Sequence, residues 1–230
     1  MVTDKITALR RTALFGELSE TELNALSARA VERRLSRGEI LFIAGDEARG
    51  LYVVVDGAVR ASRIGPDGRE QIIHIERAPA TFAEVPVFDD GKYPSTVTAE
   101  EDTIVLFVSK QDVRRLCLEH PLIGLAALKV MAGRLRHCAE LVATLSLREV
   151  GQRLARLFLE EAMTKGTQTG KGFSVSMPLT SQQIAARVGS VREVVSRALA
   201  RLQQDGLIVL ERRQLTIPDV SALRSYAEAE

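Results

Sequence analysis

The chain has 230 residues, 46% of them hydrophobic and 27% charged, which is the balance of a folded chain with a real core and sets aside the disordered and collagen-like classes. Thirty-one Lys and Arg against thirty Asp and Glu leave a net charge of +1, so a site for a polyanion has to be local. Two cysteines, Cys117 and Cys138, cannot by themselves form a disulfide framework or a four-thiolate metal centre, and the expectation is a reducing, cytoplasmic setting. The opening Met1-Val2-Thr3-Asp4-Lys5-Ile6 lacks the apolar block of a signal peptide, and no uncharged apolar stretch of about 18 residues predicts a membrane span. Trp is absent and aromatics total 4%, which argues against a single-strand binder built on stacking platforms.

In chain order, Ser19 stands three residues ahead of Glu22 with Leu23, Leu26 and Ala30 following at helical intervals, so a capped helix leads the fold. Gly38, Gly45, Gly50, Gly57, Gly65 and Gly68 then separate short β-rich runs: Glu39 to Ala44, Leu51 to Val55, Ala58 to Ile64 and Glu70 to Glu76, with a further run from Thr103 to Val108. Short strands at this spacing predict an antiparallel roll. Asp112 to Glu119 reads as helix, and a restart at Pro121 fits the first turn, where a missing N–H costs nothing. Leu128, Met131, Leu135, Cys138, Val142 and Leu145 follow at alternating steps of three and four, a heptad seam that suits a dimer, with a helix lying on its own domain as the alternative. A helix from Leu147 to Lys165 is expected to end in a flexible loop, Gly166 to Gly172.

The C-terminal stretch carries the strongest chemistry. Thr180 and Gln183 have capping-box spacing, Ile184, Ala185 and Val188 give an apolar face, and Gly189 can end the helix before a second one begins near Val191. On that second helix Val195, Ala198, Leu199 and Leu202 point one way, while Arg192, Glu193, Ser196 and Arg197 lie together on another face. Arg donates twice to guanine, Glu accepts from cytosine and Ser serves either role, so this face suits a DNA major groove. Thr180 and Ser181 at the first helix start are expected at phosphates. From Thr180 to Arg213, six Arg against three acids leave a local +3. Residues 206–210 and 214–217 read as a hairpin wing whose tip, Glu211-Arg212-Arg213, reaches phosphates through Arg212 and Arg213. A helical hairpin used only for packing is the alternative.

This order of motifs resembles the CRP/FNR family of bacterial transcription regulators over nearly the whole chain: Gly45-Asp46 and Leu51-Tyr52-Val53-Val54-Val55-Asp56-Gly57 in the roll, a long helix, Arg153-Leu154-Ala155, and the winged helix-turn-helix. The resemblance implies an α+β fold with an N-terminal antiparallel β-roll (a double-stranded β-helix or jelly roll), a long dimerisation helix and a C-terminal winged helix-turn-helix. It divides the chain into residues 1–120, 121–146 and 147–230, and implies a homodimer on two-fold symmetric double-stranded DNA that contacts RNA polymerase. Arg192, Glu193 and Arg197 match one branch's base-reading positions and Glu193, Ser196 and Arg197 another's, so the operator stays open.

In the effector loop the family's cyclic-AMP binders carry Gly-Glu and Arg-Ser. Here Glu84 and Ser95 remain, while Ala83 replaces Gly and Pro94 replaces Arg, with Lys92, Tyr93 and Thr96 as neighbours and Cys138 at an adenine-contact position. The resemblance therefore implies an effector other than cyclic AMP. The Phe82-Ala83-Glu84 and Tyr93-Pro94 pattern is similar to the denitrification regulator branch, for which heme and nitric oxide sensing are proposed. His74, His120 and His137 are the only histidines, and a lone His is more often packed or solvated than a heme ligand. The N-terminal cysteine cluster of an iron–sulfur regulator is lacking, and both cysteines read as small buried hydrophobes, with redox sensing as the alternative. Two other classes compete: a cupin-like metal enzyme, suggested by Gly68, His74 and Glu76 but short of further ligands, and an interaction module that does not bind DNA.

Overall fold

The computed structural model describes residues 4–170 and 172–229. Its elements run α1 (Lys5–Arg10), α2 (Glu20–Arg29), β1 (Val31–Leu35), β2 (Ile40–Phe42), β3 (Gly50–Asp56), β4 (Ala58–Ile64), β5 (Glu70–Arg77), β6 (Ala80–Phe82), α3 (Val85–Asp89), β7 (Thr96–Ala99), β8 (Thr103–Ser109), α4 (Lys110–Glu119) and α5 (Pro121–Leu147). They continue as α6 (Val150–Lys165), β9 (Thr167–Thr169), β10 (Gly172–Ser176), α7 (Ser181–Val188), α8 (Arg192–Gln204), β11 (Val209–Glu211), β12 (Gln214–Ile217) and α9 (Val220–Glu228). This is the expected α+β class. Two compact units form, one within residues 1–63 and 73–139, the other within 64–72 and 140–230.

In the first unit two four-stranded sheets, in the orders β1-β8-β3-β6 and β2-β7-β4-β5, make the roll. Successive side chains of a strand point to opposite faces, and β3 shows why that matters. Tyr52 and Val54 turn toward Leu41, Phe42, Val59, Ala61, Phe82, Tyr93 and Val97, drawn from both sheets. Leu51 and Val53 turn the other way and pack with Leu9, Phe15, Leu23, Leu26, Val113, Leu116 and the buried Ile123 and Ala127 of α5. With both faces covered, a nearly continuous apolar run replaces the alternation of a half-wetted strand. The capping box predicted before α2 is formed: Ser19 N–H donates to Glu22 Oε2 at 2.7 Å, and Glu22 N–H to Ser19 Oγ at 3.4 Å.

In the second unit α6, α7, α8 and α9 close over a core that includes Leu154, Phe158, Ile184, Val195, Leu202, Ile208, Leu215 and Leu223, beside a sheet in the order β11-β12-β10-β9. Two local expectations are corrected. The stretch read as a flexible loop is instead a hairpin, β9 paired with β10, although Lys171 within it lies outside the described residues. The tight packing has a cause: Gly172 sits at φ +108, and an added Cβ there would lie 2.1 Å from the Ile217 carbonyl oxygen. The helix expected from Leu147 begins at Val150, because α5 runs on to Leu147 and Glu149 caps α6. The residues Met1 to Thr3 of the opening segment also lie outside the described residues, and no single described helix is long and apolar enough to cross a membrane.

Candidate DNA interface and effector cavity

The helix-turn-helix is built as its residues dictate. Thr180 caps α7, its Oγ1 accepting from Gln183 N–H at 3.2 Å while Thr180 N–H donates to Gln183 Oε1 at 2.9 Å. Gly189 ends α7 at φ +64, the left-handed conformation that favours glycine, and Ser190 N–H closes back on the Ala185 carbonyl at 3.0 Å. α8 then buries Val195, Leu199 and Leu202 and exposes Arg192, Glu193, Ser196 and Arg197, none of whose side chains forms a hydrogen bond or ion pair among the described residues. Their donors and acceptors are available to a base edge. Thr180 is exposed, Ser181 is half-buried, and Arg212 and Arg213 form the exposed two-residue turn between Glu211 and Gln214.

Two arginines have roles that spacing hides. Arg187, counted above in the local positive charge, pairs with Glu161 of α6 at 3.1 Å with both side chains largely buried, so its charge is spent inside the unit. Arg153 of α6 donates from one Nη1 to the carbonyls of Val188 at 2.6 Å and Gly189 at 3.1 Å. Those are the carbonyls a helix end leaves without partners, so Arg153 fixes the turn that sets α8.

The first unit carries a half-open cavity of about 610 Å³. Ile73 to Glu76 of β5, Ala80 and Thr81 of β6, Val85 of α3, Pro94 and Ser95 before β7, and Val130, Gly133, Arg134, His137 and Cys138 of α5 are among its lining residues. Its polar end centres on Arg134. One Nη donates to Glu76 Oε1 and to His74 Nε2, each at 2.9 Å; the other donates to the Thr81 carbonyl at 2.7 Å and to Glu84 Oε1 at 3.2 Å. Because guanidinium only donates, His74 Nε2 must accept, which makes that imidazole neutral. Burial, with Arg134 and His137 adding to it, lowers the His74 pKa to about 4. Burial also raises the Glu76 pKa, against the opposing pull of Arg134. Glu84 is only 1% exposed, and Arg134 Nε is buried with no partner among the described residues.

The other sequence candidates scatter. Ser95 and Cys138 line the cavity. Lys92 does not: it pairs with Glu47 at 3.3 Å on the surface, its side chain 62% exposed. Tyr93 belongs to the core, stacked on Phe42 with ring centroids 3.8 Å apart and its hydroxyl donating to the Gly50 carbonyl at 2.9 Å. Thr96 Oγ1 accepts from Ala44 N–H at 3.1 Å. Ala83 takes φ +63, holding the backbone shape that a glycine would adopt more readily. The expectation that Cys117 is buried is corrected, since it is half-buried, with burial pushing its thiol pKa up; Cys138 is exposed on α5, on the same seam as the exposed Leu128, Leu135 and Val142. His120 sits 2.7 Å from Glu22 on the helical side, and His137 Nε2 is 3.1 Å from the Ile73 carbonyl. His74 and Glu76, the cupin-like pair, both turn to Arg134, and no group of three or more potential metal-ligating side chains occurs among the described residues.

Pro94 brings neither a charge nor an N–H to the cavity, and Arg134 already faces two carboxylates.

On the seam of α5, Leu128, Leu135 and Val142 are 60%, 72% and 63% exposed, while Met131 and Leu145 are half-buried. Leu122 and Leu125 are exposed as well, but they fall outside the alternating three-and-four spacing of the seam.

A β-roll followed by a winged helix-turn-helix with a free polar recognition face is the architecture of a DNA-binding transcription regulator. The cyclic nucleotide-binding domain family matches residues 32–120 and the Crp-like helix-turn-helix domain family residues 152–226. Over 219 residues the chain is 31% identical to the CRP-like cAMP-activated global transcriptional regulator of Mycobacterium tuberculosis (strain ATCC 25618 / H37Rv), covering 95% of this chain and 98% of that protein. It is 26% identical over 192 residues to the global nitrogen regulator of Synechococcus elongatus, covering 83% and 86%. The solved structure of a CRP-family transcriptional regulator from Thermus thermophilus superposes with a TM-score of 0.69 at 28% identity, covering 86% of this chain and 97% of that one. The chain belongs to the CRP/FNR family of transcription regulators.

Proposed function

We propose that the chain works as a homodimer that reads a two-fold symmetric DNA site with α8 and responds to an effector other than cyclic AMP, with residues 1–120, 121–146 and 147–230 serving as sensor, dimer helix and DNA-binding domain. The observation that carries the reading is the exposed, unpaired set Arg192, Glu193, Ser196 and Arg197 on a helix whose opposite face is buried. The apolar stripe of α5 supports the dimer, since each leucine it buries contributes roughly 1.5 to 3 kcal/mol. Contact with RNA polymerase is carried over from the family as part of the same proposal. The chain's kinship is with regulators, which disfavours the cupin-like enzyme and the module without DNA.

Fluorescence anisotropy on an operator selected from random duplexes tests the DNA reading. Arg197→Ala should cost about 1 to 3 kcal/mol per half-site and relax base preference, whereas Arg213→Ala should weaken all duplexes alike and flatten the salt dependence. Arg197→Ala binding as tightly and selectively as the parent would refute the recognition-helix assignment. Calorimetric titration with cyclic AMP should show no binding below about the millimolar range. A micromolar constant would overturn that part.

A further inference from the structure

We propose that the cavity takes an uncharged, largely apolar small molecule with a single hydrogen-bonding group, and that it discriminates against anions. The inference deepens the reading of the first unit as the effector sensor and rests on it.

Charge comes first. Among the described residues Arg134 brings the one guanidinium in the cavity lining, and it meets Glu76 and Glu84 at 2.9 and 3.2 Å. His74 is neutral because it accepts from the same guanidinium. An entering anion therefore meets a guanidinium already held by two carboxylates, one of which, Glu76, stands in the cavity wall itself. Arg134 cannot be recruited away from them either, since releasing Glu84 would leave a carboxylate that is 1% exposed without its ion partner. Lys92 is committed to Glu47 outside the cavity. A cation fares no better, because the carboxylates are engaged and most of the remaining wall is apolar, with Ile73, Ile75, Pro79, Val85 and Val130 beside the neutral polar Thr81 and Ser95.

For hydrogen bonding the lining offers Thr81, Ser95 and His137, while Arg134 Nε–H, buried and without a partner among the described residues, is shut off from the cavity as it is from water. The volume of about 610 Å³ lies in the range of small-molecule sites, about 300 to 1,000 Å³.

The test uses the full-chain protein with N-phenyl-1-naphthylamine, a neutral fluorescent probe, displaced by decan-1-ol, decanoate or decylammonium at neutral pH. These share a chain and differ in head charge. Decan-1-ol should displace the probe at concentrations at least tenfold lower than either ion. Glu76→Gln removes one carboxylate from Arg134 and should improve decanoate relative to decan-1-ol by about tenfold. An added Cβ at Gly133 meets nothing within 4 Å, so Gly133→Phe should fold and fill the cavity, lowering probe affinity at least tenfold. The proposal is overturned by a probe that does not bind, by decanoate competing as well as decan-1-ol, by a ratio unmoved in Glu76→Gln, or by probe affinity unmoved in Gly133→Phe. Operator binding is measured separately on the same samples. Displacement in the expected order with operator affinity indifferent to decan-1-ol would leave the ligand class standing and sink the sensor reading instead.

Discussion

Removing Arg134 is the sharpest perturbation of the sensor unit. Arg134→Met keeps the apolar stem on α5 and deletes the charge, leaving Glu84, 1% exposed, without the guanidinium 3.2 Å away. Breaking a buried pair from one side costs about 3 to 5 kcal/mol, because the remaining charge is stranded away from water. Glu76 adds less, since its side chain is 23% exposed and water can take over part of the contact. For a unit of about 130 residues, each kcal/mol lowers the midpoint by roughly 3 to 5 °C, so a fall on the order of 10 °C is expected in thermal unfolding followed by circular dichroism. The comparison must be made at one protomer concentration, because dimerisation would itself shift the midpoint. The double variant Glu84→Gln with Arg134→Met removes both charges and should regain about 2 kcal/mol or more over Arg134→Met alone. Stability of Arg134→Met within about 1 kcal/mol of the parent, or a double variant no more stable than the single one, would refute the argument that a buried ion pair anchors α5 to the roll.

What the sequence made legible followed from local chemistry. The capping boxes at Ser19 and Thr180, the left-handed stop at Gly189 and the alternation of α8 all act within a few residues, and each is formed. Elements that bury almost nothing escaped notice. β9 is Thr-Gln-Thr with every residue exposed, and β1 buries only Leu35, so neither carries a periodic apolar signal. The cavity was hardest to read for a related reason. Arg134 lies between Met131 and Leu135 on a helix, where a charged residue looks solvated, and its partners Glu76 and Glu84 are 58 and 50 residues away. Lys92 sits beside Tyr93 and Pro94 in the chain, yet a long-range backbone bridge to Glu47 holds it on that carboxylate at the surface. Arg187 shows the same limit in the DNA-binding unit, since only the packing of α6 against α7 brings Glu161 to it. Long-range charge pairing has no period to detect.

Further outcomes follow from the α5 seam and the cavity histidine. Leu135→Asp places a charge in the apolar stripe, where burying it unpaired costs several kcal/mol, so sedimentation should show a dimer for the parent and monomer for the variant. A parent that sediments as a monomer at all concentrations would remove the premise. His74→Asn should change the pH dependence of stability with a definite sign. The folded pKa of about 4 lies below the 6.5 of an unperturbed histidine, so between those values the unfolded chain binds a proton that the folded one does not. In the parent this contribution is complete above pH 6.5 and is lost as the pH falls toward 4, by about 3 kcal/mol at most at 1.36 kcal/mol per pH unit, and by less because the ring is a quarter exposed. Glu76, with its pKa raised by burial, contributes in the opposite sense above its ordinary value, but it is present in both proteins and largely cancels in the difference. Urea unfolding from pH 7 to 4 should therefore show a shallower decline for His74→Asn than for the parent. Parallel profiles for the two would mean that His74 is not held neutral by Arg134 and the wall around it.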